Sequence, residues 1–174
     1  RRAIEAERGG VSLVLPEQVV VRDGAVYALR YGGTLDTERW NAQLSLCCGM
    51  VAADLMLRGG TGVLRTLPGP TDDALAALRA AARTLGVGWP DDVDYPAWIR
   101  TLEPATPATA ALMVAASRTL RGAAYATFTS RPAAPPVHGA IAAPYAHVTA
   151  PLRRLVDRFG TESALAAHDG RTPA

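Results

Sequence analysis

Tyr145-Ala-His147-Val-Thr149-Ala-Pro151-Leu-Arg153-Arg154-Leu-Val-Asp157 lies near the end of a 174-residue chain, and the reading of this stretch decides how the rest is understood. Pro151 suits the first turn of a helix, where a missing N–H costs nothing. Thr149 just before it is a plausible N-cap. Arg153 and Arg154 then fall in the first turn, where backbone donors are unpaired and the helix dipole is positive. Cations are locally unfavourable there, so a pair of them points to an anion. Free N–H groups together with guanidinium forks make a phosphate site. The competing reading is local: both arginines pair with acids on the next turns, such as Asp157 or Glu162. Tyr145 and His147 alternate with Ala146, so on an extended segment they share a face and can stack on bases or reach a phosphate. A structural His–Tyr network satisfies the same pattern.

Upstream of that stretch, His138 to Ala143 reads as a strand, preceded by a Pro-rich loop from Arg131 to Pro136. Ala123 to Thr129 alternates small and aromatic residues and reads as another strand. At the other end, Arg1 to Arg8 resembles the end of a helix. Val11 to Leu15, Gln18 to Arg22 and Ala25 to Tyr31 are short and β-branched, split by Pro16 and by Asp23-Gly24. Asp-Gly between two such runs signals a hairpin, and the three runs predict a small antiparallel meander ended at Gly32-Gly33. Asp36 or Thr37 caps a long helix to about Leu57, with Trp40, Leu44, Cys47, Val51 and Leu55 as its apolar stripe. Gly49 in its middle costs about 1 kcal/mol against Ala, which suggests close approach of another backbone.

Residues 61–70 read as a loop anchored by Leu64 and Leu67. Helices follow from Thr71 with its acidic start, from about Tyr95 to Leu102, and from Thr106-Pro107. Their core residues are Leu75, Leu78, Ala82 and Leu85, then Trp98 and Ile99, then Leu112, Met113, Ala116 and Leu120. Beyond His168 the tail reads as solvated and frayed. The expected class is α+β, with short antiparallel strands packed on several amphipathic helices.

All 18 basic residues are arginine, and against 16 acids they leave a net charge of only +2. That is too small to argue nucleic-acid binding from bulk charge, so local placement must carry it. Cys47 and Cys48 are adjacent in a helical pattern, where their side chains diverge; they read as small buried hydrophobes in a reducing, cytoplasmic setting. No apolar run is long enough to span a bilayer. There is no Gly-rich phosphate loop, no Gly-x-Ser-x-Gly elbow and no zinc-ligand spacing among the histidines.

The opening stretch resembles the Tyr-x-His-Phe-Thr-Ser-Pro-Ile-Arg-Arg-Tyr-x-Asp signature of the RNB domain, the catalytic domain of the ribonuclease II and R family. Tyr145, His147, Thr149, Pro151, Arg153, Arg154 and Asp157 match; Val148, Ala150 and Leu155 depart from Phe, Ser and Tyr. The similarity extends upstream. His138-Gly-Ala-Ile-Ala-Ala-Pro-Tyr145 sits where the family has His-Phe-Gly-Leu-Ala. Gly62-Val-Leu64-Arg65-Thr-Leu67-Pro-Gly-Pro70 resembles Leu-Tyr-Arg-x-His-x-x-Pro, Leu85-Gly86 matches a Leu-Gly, and Glu38 opens the long helix where the family has Val-Glu-Glu. Order and spacing agree from about residue 1 to residue 168, as in a divergent, high-GC bacterial branch.

The resemblance implies that residues 1–174 are a single partial domain, the C-terminal portion of an RNB-type catalytic domain. It implies a 3′-to-5′ exoribonuclease that hydrolyses single-stranded RNA by a two-metal mechanism, with Mg2+ in the complete enzyme. It places Arg153 on the scissile phosphate and Glu38 in the active site. Arg154, Tyr145, His147, Thr149 and Arg65 then lie along the RNA. The family's metal-binding aspartate cluster precedes everything seen in this chain. Asp72-Asp73 and Asp91-Asp92-x-Asp94 sit at helix starts and turns, which account for them, so no metal ligands are assigned. The expected partners are single-stranded RNA and the remaining N-terminal part of the domain, with no membrane. Two other readings stay open: a non-catalytic RNA-binding relative, and a structural or interaction domain.

Overall fold

A computed structural model describes residues 2–15, 17–32, 35–103 and 106–173. The expectations that rest on Arg1, Pro16 and Gly33 lie outside these residues. The chain is α+β, with helices and two-stranded antiparallel sheets. It divides into two compact units, Arg1–Val11 with Asn41–Pro70 and Leu120–Ala174, and Ser12–Trp40 with Thr71–Thr119.

The first unit holds α1 (Arg2–Glu7), most of α2 (Asp36–Gly59), β3 (Gly62–Thr66), β4 (Ala124–Phe128) and α6 (Leu155–Asp169). Its core joins Ala52, Ala53, Met56 and Leu57 of α2 to Leu64, Ala146 and Ala164. This corrects the expected stripe of α2. Trp40, Leu44 and Val51 are 61%, 63% and 52% exposed, while Gly49, Ala52, Ala53 and Met56 face inward. Small residues win the buried face because they let backbones approach. A Cβ on Gly49 would run into the Tyr145 ring and stand 2.6 Å from the Ala146 carbonyl oxygen. A Cβ on Gly59 would stand 2.5 Å from that of Ala167 in α6. The predicted close approach at Gly49 is therefore present. Cys47 is half-buried and Cys48 exposed, both free, so neither is the buried hydrophobe expected.

Residues 62–66 are a strand, where a loop was expected. β3 pairs antiparallel with β4, Gly62 opposite Phe128 and Arg65 opposite Tyr125. Five residues with Leu64 turned inward carry too little alternation to be recognised without the partner strand. Leu64 and Leu67 are buried, as anchors should be. Residues 138–143, expected to be a strand, instead fold back on themselves. His138 bridges Leu67 on one side and Ala143 on the other, and Ala142 takes a φ of 56°. Gly139 permits this, since a Cβ there would lie 2.9 Å from the Pro68 carbonyl and the Gly69 nitrogen. The C-terminal tail is tied down further than expected: Gly170 caps α6 at φ 68°, and Arg171 bonds Glu162 at 2.6 Å.

The second unit holds β1 (Glu17–Asp23), β2 (Val26–Gly32), α3 (Asp72–Thr84), α4 (Tyr95–Thr101) and α5 (Pro107–Ser117). The Asp23-Gly24 turn closes a hairpin as predicted, with Gly24 at φ 62°. The expected third strand is absent: residues 11–15 are irregular. The three helices follow their local signals. Thr71 and Asp94 cap α3 and α4 by accepting from Ala74 and Ala97 N–H, and Thr106 with Thr109 forms a reciprocal capping box on α5. Leu78, Ala82, Trp98, Ile99, Leu112, Met113 and Ala116 are buried in this unit. Leu85, counted in the stripe of α3, is 40% exposed because the helix has already ended at Thr84.

Candidate nucleic-acid interface

The segment Tyr145-Ala146-His147 runs extended between a strand and a helix. Arg65 N–H of β3 donates to the Tyr145 carbonyl at 2.7 Å, and Ala146 N–H donates to the Gly49 carbonyl of α2 at 3.1 Å. Alternation then fixes the side chains: Ala146 goes into the core, and Tyr145 and His147 share the other side. There the two rings meet edge to face at 5.7 Å, and His138 meets Tyr145 at the same separation. Tyr125, across from Arg65 in the sheet, brings its hydroxyl to 2.8 Å from His147 Nδ1. The Arg65 guanidinium lies over the Tyr125 ring at 4.8 Å. Arg65, Tyr145 and His147, selected from sequence, are thus brought together. Tyr125 was missed, although its place in an alternating strand opposite an arginine is a cross-strand signal once the pairing is known.

The arginine pair does not sit as the sequence suggested. α6 begins at Leu155, four residues after Pro151, and its N-cap is Arg154 with no side-chain cap bond. Thr149 is therefore not the cap. Residues 150–154 form a tight turn in which Arg153 N–H and Arg154 N–H both donate to the Ala150 carbonyl, at 3.2 and 3.0 Å. Arg154 itself is extended, with φ −128° and ψ 116°, which delays the helix. The acceptor expected to come from a bound anion is provided by the chain. Asp157, 0% exposed, takes Ala150 N–H on Oδ1 at 2.6 Å. It also takes Arg154 Nε on Oδ2 at 2.8 Å and Nη2 on Oδ1 at 2.9 Å. The local ion-pair reading thus describes Arg154. Arg153 is exposed, and its guanidinium shows no hydrogen bond or ion pair among the described residues.

The electrostatics follow from this packing. Burial lowers the His147 pKa from 6.5 to about 4, assisted by the positive charges of Arg154 and Arg65. His147 is therefore neutral near pH 7. Burial and then Arg65 also lower His138, whose buried Nδ1 has no hydrogen-bond partner among the described residues. Burial raises the Tyr145 pKa, against the opposing charge of Arg154. For Asp157 burial pushes upward, but the bonds from Arg154 and from Ala150 N–H together outweigh it and hold the carboxyl below 3.8.

Glu38 belongs to the other unit. Its carboxylate accepts from Leu35 N–H at 2.7 Å, the bond by which a third-position acid caps its own helix. No group of three His, Cys, Asp or Glu that could hold a metal ion exists among the described residues. No helix among them is long and apolar enough to cross a membrane.

An α+β chain with an arginine- and aromatic-lined segment on its smaller sheet defines a class, and solved structures share its fold. Mycoplasma genitalium RNase R in complex with ribose-methylated single-stranded RNA matches with TM-score 0.73 at 22% identity, over 98% of this chain and 28% of that one. The apo form of the same enzyme gives the same values. Its complex with double-stranded RNA matches with TM-score 0.73 at 21% identity, over 98% of this chain and 32% of that one. The chain thus spans less than a third of the length of these enzymes while nearly all of it takes their fold. No protein-family model and no curated protein matches it.

Proposed function

We propose that this chain is the RNA-binding, C-terminal portion of an RNB-type 3′-to-5′ exoribonuclease that hydrolyses single-stranded RNA in the cytoplasm. The observation that carries the reading is Arg153: on a chain with the RNase R fold, it is an exposed guanidinium on a hydrogen-bonded turn without an internal acid. In this reading Arg153 contacts the scissile phosphate and offsets its developing charge. Arg154 serves through Asp157, by bracing the turn that presents Arg153. Arg65, His147 and Thr149 follow the RNA backbone and bases, with the buried Tyr145 ring packed edge to face against His147. That the RNase R structures include RNA complexes supports the assignment of RNA as ligand.

Magnesium, implied for the complete enzyme, does not fit the residues described in this chain, because no ligand cluster is among them. Binding and charge neutralisation are what these residues supply; the metal-holding aspartates belong to the remaining N-terminal part of the domain, the chain's expected partner. The chain alone should therefore bind single-stranded RNA without degrading it, as a non-catalytic relative also would. The test is RNA affinity against salt. Arg153→Ala should weaken binding and reduce the salt slope by about 0.7, the share of one phosphate contact on a single strand. An unchanged slope would turn the reading toward a structural domain. EDTA-sensitive degradation of RNA by this chain would overturn the division of labour.

A further inference from the structure

Tyr125 is the polar aromatic group beside the interface to which no role has been given. Its hydroxyl can donate to His147 Nδ1 or accept from it. Elementary chemistry favours donation: a phenol is a stronger acid than a neutral imidazole N–H, and an imidazole nitrogen is a better acceptor than a phenol oxygen. The Arg65 guanidinium over the ring, at 4.8 Å, adds to this by drawing electron density from the phenol. With Nδ1 accepting, the proton of a neutral imidazole must sit on Nε2.

The surroundings decide what that proton meets. Arg65, Arg154, Asp157, His138 and Tyr145 are the charged and titratable groups facing His147, besides Tyr125. The single acid among them, Asp157, is engaged by Arg154 and by Ala150 N–H. Arg65 has no ion pair among the described residues. What remains is a cation and a neutral N–H donor, with no carboxylate left for either.

We propose that Tyr125 is a positioning residue that holds His147 as the Nε2–H tautomer, so that His147 offers Nε2–H as a donor to a phosphate of an RNA strand. The inference rests on the RNA-binding reading for its ligand but not for its geometry. Near pH 7 His147 enters this contact as a neutral donor.

The test uses the whole 174-residue chain. Imidazole nitrogen shifts of the labelled protein without RNA read the tautomer directly. The wild type should show protonated Nε2 on His147, and Tyr125→Phe should give a mixture of tautomers. Binding of a short oligoadenylate should weaken about three- to tenfold in Tyr125→Phe, the worth of one hydrogen bond. His147→Ala should lose as much, and the double variant no more than either alone. His147→Gln, which keeps a donor near the Nε2 position, should recover most of the affinity. Protonated Nδ1 in the wild type overturns this inference alone, as do additive losses or an unaffected Tyr125→Phe. Absence of RNA binding by the wild type overturns the RNA reading and the phosphate assignment together.

Discussion

Helices α3 to α5 and the segment from Tyr145 to Asp157 are built by opposite means. Each of the three helices has a cap within three residues of the group it satisfies: Thr71 to Ala74, Asp94 to Ala97 and Thr106 to Thr109. The segment adds distant partners to its local bonds at Ala150 and between Arg154 and Asp157. Its backbone is held by Gly49, about a hundred positions away in sequence, and by Arg65, eighty away. Its turn is closed by Asp157 reaching back seven residues to Ala150. The difference teaches where rigidity comes from when local signals are weak. A helix can be stopped and started by its own caps, but the segment from Tyr145 to Asp157 is also pinned by the distant backbones of Gly49 and Arg65.

Substitutions and titrations press on that difference. The largest effect is expected at Asp157. Asp157→Ala strands Arg154 and the Ala150 amide, and removing one partner of a buried ion pair costs about 3–5 kcal/mol. Urea unfolding followed by hydrogen exchange at Ala150 would measure it. A loss below about 1 kcal/mol would mean that the turn holds by itself and that the contrast is false. Thr106→Ala should cost about 1 kcal/mol and stay local to α5, because only a helix cap is lost. Exchange rates around Tyr145 that rose with it would blur the distinction.

An effect invisible near neutrality concerns His147. Its folded pKa, about 4, lies below the 6.5 of an ordinary imidazole, so the unfolded chain takes up the proton first as the pH falls. Stability is therefore unaffected above 6.5 and declines between 6.5 and about 4. His147→Gln should remove that decline. Asp157 acts below it: with a folded pKa under 3.8, its contribution is complete above that value and is lost as the pH drops through the folded pKa. A stability curve of His147→Gln that still fell between 6.5 and 4 would assign the proton uptake elsewhere.

Much of this was legible from residues alone, and the divide follows the same line. The capped helices, the Asp-Gly hairpin, the strand at Ala124–Phe128 and the close approach at Gly49 all announce themselves within a few positions. The buried face of α2 did not. Trp40, Leu44 and Val51 make the better apolar stripe, yet Gly49, Ala52 and Ala53 are inside, because backbone proximity to Tyr145–Ala146 requires small residues there. β3 needed its partner to be seen as a strand, and Tyr125 needed β3 to be seen beside His147.

The sequence by itself determined the inventory: an α+β chain, a Tyr-x-His segment and two adjacent arginines ahead of an aspartate. Spacing alone did not separate Arg153 from Arg154, since both stand at the same apparent helix start; only the family resemblance set Arg153 apart. Tertiary structure made the separation. Asp157 is buried against the turn and has geometry for one guanidinium only, so Arg154 is consumed internally and Arg153 is left to solvent. Spacing along a chain says which groups are near; only the packed turn says which of them still have donors free.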